Sequence, residues 1–357
     1  MSYYAPEYPP QRPPLAYYPS SSSYPLVRPA PPPPRPRKSP PPPPPTVISL
    51  DLSTAATARE NGDKQGSSSF HPTSAAQQRA QEYELQHHDA RRRHRPSGWV
   101  GSHVVPELLS HGYTVHVGEL DDVESLKEAA KKADGVIHLA FKHDFKNYQA
   151  NGDLDARIVE AIASTLEGTD KPFVITSEHE PINPVLHNIP RVKSERILAS
   201  FSDKGVRTAV VRLPPTVHGN GDHNFITALI AAARRNCVSP FEADEEKQPT
   251  FWSGVHVEDA AVVFRLAPEE APTGSILHAV GDDDGLSFFD LASTIGRKLD
   301  VSVKQVGDDE VQAHFGQLKM FATLNVRVSN VKTKEVLGWQ PSKPTLKHDL
   351  EAGFYFH

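Results

Sequence analysis

The sequence predicts an α/β fold in which helices cover both faces of a parallel sheet. Short apolar runs at 135–141 (GVIHLAF), 172–177 (PFVITS) and 206–213 (VRTAVVRL) are typical of strands that are buried on both faces. Helical patterns of about 10 to 15 residues separate these runs. Such alternation of strand and helix indicates β–α–β units and therefore parallel strands.

The predicted elements follow one another from residue 98 onward. In chain order they are helix 100–109, strand 114–117, helix 123–132, strand 135–141, helix 154–166, strand 172–177, helix 194–203 and strand 206–213. Beyond residue 220 the pattern predicts helices at 225–235, 259–267 and 287–299, and strands at 252–257 and 276–279. This smaller mixed part should pack at the carboxyl edge of the sheet, where open α/β sheets bind ligands.

Composition divides the chain into a Pro-rich arm and an acidic body. Residues 1–97 contain 21 of the 34 prolines and carry 12 basic against 7 acidic side chains. The remaining residues carry 26 basic against 37 acidic side chains. A segment of such low hydrophobicity buries too little apolar surface to offset the loss of conformational entropy on folding, so we expect a disordered arm over 1–96.

Simple counts exclude several classes of protein. The single cysteine, Cys237, cannot form an internal disulfide or a Cys-based zinc site. No apolar run approaches the roughly 18 residues of a membrane span, and the N-terminus lacks the basic and apolar regions of a secretory signal. The acidic body argues against nucleic-acid binding. We therefore expect a cytoplasmic protein that binds neither nucleic acid nor membrane.

The arm contains motifs that could dock a partner. Arg28-x-x-Pro31-x-x-Pro34 fits one orientation of an SH3 ligand, and Pro33-x-x-Pro36-x-Lys38 roughly fits the other. The run of prolines would also suit a profilin-type groove, because it favours an extended polyproline helix. The alternative is an extension without a partner, since such matches arise easily in any Pro-rich stretch.

Seven short motifs occur in a fixed order in the body. They are GWVGSH (98–103), GELDD (118–122), VIHLA (136–140), TS (176–177), RLPPTVHG (212–219), VHVEDAA (255–261) and KTKEVLGWQP (332–341). Together they resemble the extended and atypical short-chain dehydrogenases/reductases, the NAD(P)-dependent epimerase/dehydratase family. The resemblance covers about residues 98–356.

The resemblance implies a Rossmann-like, doubly wound parallel sheet. It implies an NAD(P)-binding domain over 97–219 and a small C-terminal substrate part over 220–357 that completes the same fold. The implied cofactor is NAD or NADP. The implied reaction is oxidation or reduction of a small alcohol, aldehyde or ketone, or an epimerase or dehydratase reaction on a nucleotide-linked sugar.

The resemblance also assigns roles to individual residues. Ser177 would hydrogen-bond the substrate oxygen, and Arg191 falls on the catalytic helix. The residues expected at the cofactor are Gly98, Trp99, Val100, Gly101, Glu119, Leu120, Leu139, Ala140, Phe141, Thr176, Pro214, Pro215, Thr216 and Val217. No metal site is expected, because the loop 218–223 matches a substrate loop and 282–285 matches a polar turn.

The start of the fold departs from the family pattern. The first glycine of the fingerprint falls on Arg95, and the polar residues 87–94 cannot form a buried strand. Residues 46–52 (TVISLDL) could replace this strand only across a linker of about 45 residues, which we judge improbable. We therefore expect the sheet to be N-terminally incomplete.

Two further departures concern chemistry. After Val115 the sequence lacks a complete strand–helix–strand segment and, with it, the residue that distinguishes NAD from NADP. The body contains no Tyr-x-x-x-Lys motif. One alignment places Arg191 at the Tyr and Glu195 at the Lys, and the other places His187 at the Tyr and Arg191 at the Lys.

Two origins would account for these departures. Misplaced exon boundaries would leave an ordinary enzyme sequence truncated, whereas divergence would leave a protein that no longer turns over substrate. The second origin corresponds to a rival function: a non-catalytic protein that binds a dinucleotide or a partner.

Overall fold

The computed structural model describes residues 46–50, 98–118, 120–178, 190–242, 250–281, 285–322 and 325–357. The elements up to residue 213 are β1 Thr46–Leu50, α1 Gly101–Ser110, β2 Thr114–Gly118, α2 Val123–Lys132, β3 Gly135–His138, α3 Tyr148–Leu166, β4 Pro172–Glu178, α4 Pro190–Ala199 and β5 Arg207–Leu213. Strands and helices alternate here, as the apolar pattern predicts.

The remaining elements build the C-terminal part. They are β6 Thr216–His218, α5 Phe225–Asn236, β7 Val238–Glu242, β8 Phe251–Trp252, β9 Gly254–His256, α6 Val257–Glu270, β10 Ser275–His278, β11 Leu286–Ser287, α7 Phe288–Leu299, β12 Ser302–Val306, α8 Asp308–Phe315, α9 Lys319–Ala322, α10 Val331–Leu337 and α11 Leu346–Ala352. Short strand pairs form between β6 and β9, β7 and β12, and β8 and β11.

Six parallel strands form the main sheet in the order β10-β5-β4-β3-β1-β2. β1 lies between β2 and β3, with Ile48 opposite His116 on one side and Val136 on the other. The expectation that the first strand is missing is therefore wrong. The β-branched and apolar segment TVISL has a strong strand propensity, which prevails over the long connection to α1.

Helices pack on both faces of this sheet, which confirms the doubly wound α/β fold. On one face Ile137, Val174 and Val211 pack with Val104 of α1 and Phe264 of α6. On the other face the apolar side chains of α2, α3 and α4 cover β3 and β4, as Leu126, Ile158, Phe173, Ile175 and Leu198 show. Successive residues of β4 alternate between the two cores, as the pleat requires.

Helices α3 and α4 begin earlier than the sequence predicts. α3 starts at Tyr148 and α4 starts at Pro190. The sequence pattern misses these first turns because they lack the regular apolar spacing that predicts a helix. Proline suits the first helical position, where its missing N–H costs nothing. A Cβ on Gly152 would lie 1.9 Å from the Cβ of Pro190, so glycine is needed where the two helices meet.

Within the described ranges, no helix is long and apolar enough to cross a membrane. The docking motifs of the arm and the boundary at residue 96 lie outside the described residues and stay predictions. The polar turn at 282–284, Glu119 and His187 also lie outside them.

Candidate functional site

The carboxyl edge of the sheet brings the predicted site segments together. α1 runs back from this edge, because its C-terminus connects through a short turn to the start of β2. The segment 98–101 therefore lies at the edge where β3, β4 and β5 end. The chain segments after these strands supply residues 139–141, 177–178 and 214–217.

Among the described residues, no side chain caps the N-terminus of α1. Val100 is the N-cap and makes no side-chain cap, and no acidic residue stands in the first turn. Side chains cap α2, α6, α7 and α11 through Asp122, His256, Ser287 and Thr345. Helices α3, α5 and α10 are uncapped like α1 and also have no acidic residue in the first turn. The first N–H groups of a helix and its dipole favour an anion, so this end of α1 is suited to bind one.

Trp99 joins the glycine turn to the segment after β5. Its Nε1–H donates to the carbonyl oxygen of Val217 at 2.7 Å. Its ring lies 3.6 Å from where a Cβ on Gly221 would stand. Two of the predicted cofactor segments, 118 residues apart in sequence, are thus in direct contact.

Several predicted cofactor residues use their side chains within the fold. Leu120 and Ala140 are buried in the core beneath α2 and α3. The Thr176 hydroxyl donates to the carbonyl oxygen of His138 at 3.0 Å, and the Thr216 hydroxyl donates to that of Ser253 at 3.1 Å. These residues could meet a cofactor only through their backbone.

The remaining predicted residues differ in exposure. Pro214 is buried, whereas Leu139, Pro215 and Val217 are half-buried along the carboxyl edge. These three present apolar surface that a ligand could cover.

The two predicted catalytic residues are both buried, and within the described part of the chain each has side-chain atoms without a hydrogen-bond partner. The Ser177 hydroxyl makes no hydrogen bond, and neither do Nε and Nη2 of Arg191. The guanidinium carbon of Arg191 lies 4.6 Å above the ring centre of Phe141. Because Ser177 shares a face of β4 with Ile175, it lies on the side of the sheet that α3 and α4 cover.

A buried polar network links β3, α3 and α4. His138 Nε2 lies 2.7 Å from Asp155 Oδ1, and the Ser194 hydroxyl donates to Asp155 Oδ2 at 2.5 Å. Burial raises the pKa of Asp155, but the bonds with His138 and Ser194 and the charges of His138 and Arg191 together hold it below its usual range. His138, in the VIHLA motif, is fully buried. The sequence did not predict its contacts, because Asp155 lies 17 residues from His138 and 39 residues from Ser194 along the chain.

A phenol also reaches this edge, although the sequence contains no Tyr-x-x-x-Lys motif. The hydroxyl of Tyr148, at the start of α3, donates to the Glu178 carboxylate at 3.0 Å. Burial raises the pKa of Glu178, although the charge of Arg191 and the Tyr148 hydroxyl oppose the shift. Burial and the neighbouring Glu178 carboxylate also raise the pKa of Tyr148.

The histidine-rich loop uses its side chains to hold the C-terminus. His218 Nδ1 lies 2.7 Å from Asp349 Oδ2 of α11. The Tyr355 hydroxyl donates to Asp222 at 2.9 Å and accepts from the N–H of Gly219 at 3.3 Å. Among the described residues, no group of three or more His, Cys, Asp or Glu side chains could hold a metal ion.

Two charged motif residues also have structural partners. Asp259 of the VHVEDAA motif accepts hydrogen bonds from the N–H groups of Ser342 and Lys343, directly after the LGWQP segment. Arg212 of the RLPPTVHG motif pairs with Glu195 of α4. These residues hold neighbouring motifs in place.

Two fungal proteins are similar to most of the chain. An uncharacterized protein of Schizosaccharomyces pombe is 36% identical over 295 residues, which cover 73% of this chain and 97% of that protein. An uncharacterized protein of Saccharomyces cerevisiae is 34% identical over 291 residues, which cover 72% of this chain and 96% of that protein. The first alignment spans 295 positions, but 73% of 357 residues is only about 260. The fungal protein therefore contains segments that have no counterpart in this chain. No family model matches the sequence.

Solved structures share the fold at low sequence identity. A short-chain dehydrogenase/reductase superfamily protein from Agrobacterium tumefaciens, with bound NAD, has a TM-score of 0.56 at 13% identity and covers 72% of this chain and 93% of its own. UDP-glucose 4-epimerase from Thermotoga maritima, with UDP-glucose, has a TM-score of 0.53 at 17% identity and covers 72% and 96%. RMD from Pseudomonas aeruginosa, complexed with NADPH, has a TM-score of 0.52 at 17% identity and covers 73% and 95%.

The fold, the relatives and the ordered motifs agree on one classification. The overall fold is shared with the solved structures, and the two fungal proteins extend the likeness in sequence across nearly their whole length. The chain belongs to one family with the two fungal proteins, and it has the fold of the short-chain dehydrogenase/reductase superfamily protein and the UDP-glucose 4-epimerase.

Proposed function

We propose that the protein binds NAD or NADP along the carboxyl edge of its sheet and acts as an oxidoreductase of the epimerase/dehydratase type. The substrate would be a small alcohol, aldehyde or ketone, or a nucleotide-linked sugar. The observation that carries the proposal is the N-terminus of α1, which among the described residues has neither a side-chain cap nor an acidic residue in its first turn. Structural neighbours crystallised with NAD and NADPH support the same cofactor.

The residues present fit a dinucleotide. Gly98 and Gly101 lack side chains that would block a pyrophosphate at the first N–H groups of α1. Segment 214–217, which Trp99 holds against the glycine turn, would flank the nicotinamide end. When bound, the cofactor supplies or accepts the hydride.

Side chains at the end of β4 and the start of α3 would handle the substrate. The unpartnered Ser177 hydroxyl would donate to the substrate oxygen. Burial raises the pKa of Glu178 and so favours its protonated form, and this carboxyl is bonded to the Tyr148 hydroxyl. This pair would provide the proton that the Tyr-x-x-x-Lys motif provides elsewhere in the family.

Calorimetric titration of the full chain with NADH and NADPH tests the proposal. Ser102 and Ser110 are exposed serines at opposite ends of α1, and each hydroxyl donates to the carbonyl three residues earlier. Ser102→Glu places a negative charge where the pyrophosphate would bind, whereas Ser110→Glu places it at the far end. We expect the wild type and Ser110→Glu to bind at least one dinucleotide and Ser102→Glu to lose that binding. No binding by the wild type, or equal binding by both variants, would contradict the proposal.

The absence of a Tyr-x-x-x-Lys motif favours a second candidate, a non-catalytic protein that binds a dinucleotide. Hydride transfer to a panel of aldehydes and ketones separates the two. Saturable binding without turnover above background would support the second candidate. Pull-down of SH3 or profilin modules by full-length chain, but not by a chain without residues 1–45, would test the arm as a docking segment.

A further inference from the structure

One edge of the Arg191 guanidinium lacks hydrogen-bond partners. The residue is 3% exposed, and both nitrogens of this edge, Nε and Nη2, are buried and have no hydrogen-bond partner among the residues that the structure describes. The Ser177 hydroxyl and His138 Nδ1 are unpartnered and buried as well. All three residues lie on the side of the sheet that α3 and α4 cover. The charge of Arg191 also acts on Glu178, next to Ser177 in the chain, and on Asp155, the partner of His138.

Arg212 shows what the same edge does when it is filled. Its Nε–H donates to Glu195 Oε1 at 3.0 Å and its Nη2–H donates to Glu195 Oε2 at 2.6 Å. The two parallel N–H groups match the spacing of the two carboxylate oxygens. The free edge of Arg191 therefore has the geometry that binds a planar carboxylate.

No carboxylate of the described residues takes this position. Glu178 of β4 and Asp155 of α3 are close enough to feel the charge of Arg191. However, Glu178 is bonded to Tyr148, and Asp155 is bonded to His138 and Ser194. Neither forms an ion pair with Arg191. Their charges offset the buried guanidinium from a distance but leave its edge open.

We propose that Arg191 binds a carboxylate of the substrate through Nε–H and Nη2–H while the Ser177 hydroxyl bonds the reacting oxygen, which makes the substrate an oxo acid or the corresponding hydroxy acid. This inference rests on the proposed oxidoreductase function. In the reducing direction the carbonyl carbon of the oxo acid gains a hydride from NADH or NADPH and its oxygen gains a proton, which yields a hydroxy acid. A lysine offers a point charge without the paired N–H groups and would bind the carboxylate less well.

The test uses oxo acids and their neutral amides as matched probes. Pyruvate, acetoacetate and levulinate place the carboxylate at increasing distance from the ketone, and each has an amide of the same shape. Calorimetry measures their binding to the full chain, with and without saturating dinucleotide. A parallel titration measures dinucleotide binding. The variants are Arg191→Lys and, as a control on the same helix, Arg196→Lys, which alters an exposed arginine.

We expect the wild type and Arg196→Lys to prefer at least one acid over its amide by about tenfold to one-hundredfold. Arg191→Lys should lose most of this preference while its dinucleotide affinity stays unchanged. Equal binding of all acids and amides by the wild type would overturn the inference, as would a preference that survives in Arg191→Lys. A variant that loses dinucleotide affinity instead would assign Arg191 to the cofactor ribose and also overturn it. Failure of the proposed function is separate, since it shows in the dinucleotide titration of the wild type.

Discussion

Two arginines near the carboxyl edge of the sheet differ in how their charge is satisfied. Arg212, at 14% side-chain exposure, forms a paired contact with Glu195, which is 8% exposed. Arg191, on the same helix as Glu195, is more deeply buried and has no such partner. A buried charge without a partner costs stability, so a fold that keeps one is consistent with a functional role. The contrast separates a charge that holds the fold together from one that is available to a ligand.

Breaking the filled pair should have the largest effect on stability. Glu195→Gln leaves the Arg212 guanidinium without its counter-charge, so we expect the free energy of unfolding to fall by about 3 kcal/mol. Urea denaturation followed by circular dichroism measures it. Glu128→Gln is the control, because Glu128 pairs with Lys131 on the exposed surface of α2 and should leave stability unchanged. Equal effects of the two variants would show that the contact between Arg212 and Glu195 is no stronger than a surface pair.

The unfilled arginine should respond in the opposite direction. Arg191→Met removes a buried charge and keeps apolar volume, although it loses the contact with the Phe141 ring. We expect the free energy of unfolding to rise by about 1 kcal/mol. Arg196→Met on the exposed side of α4 should change it little. A clear loss of stability in Arg191→Met would mean that the guanidinium serves the fold.

The carboxyl beside Arg191 predicts a pH dependence. Burial raises the pKa of Glu178 in the folded state, so the folded protein binds this proton more tightly than the unfolded chain. The stability that this proton contributes is full below the ordinary glutamate pKa of about 4.3 and is lost as the pH rises through the folded value. Glu178→Gln should therefore flatten the decline of unfolding free energy above about pH 4. If the free energy of unfolding depends on pH in the same way for the wild type and Glu178→Gln across this range, the raised pKa of Glu178 is contradicted.

The contact between the glycine turn and the segment after β5 should contribute least. Trp99→Phe keeps the ring but removes the hydrogen bond to the Val217 carbonyl. We expect a loss of about 0.5–1.5 kcal/mol in the free energy of unfolding. Thermal melts of the wild type and Trp99→Phe measure the loss, and equal melting temperatures would contradict it.

The sequence predicts most of the body because apolar periodicity and β–α–β alternation are local signals. The run GVIHLAF predicts β3, and VRTAVVRL predicts β5. The first strand was misjudged because its place in the sheet depends on pairing with β2 and β3 across long stretches of sequence, which local patterns do not reveal.

The site was predicted only in part. Ser177 and Arg191 follow from the family resemblance. Both are buried, Ser177 near the end of β4 and Arg191 near the start of α4. The contacts of His138 with Asp155, and of Tyr148 with Glu178, depend on how α3 lies against the sheet. No motif spacing encodes that geometry, although an aspartate within the apolar period of a helix is a sign of a buried partner.

A crystal structure of the full chain grown with NADPH, and one grown with NADH, would test the central claim most directly. The account predicts pyrophosphate oxygens within hydrogen-bond distance of the N–H groups at 100–101, with the nicotinamide beside Ser177 and the segment 214–217. A dinucleotide bound elsewhere, or an empty α1 terminus at a saturating concentration of both, would contradict it.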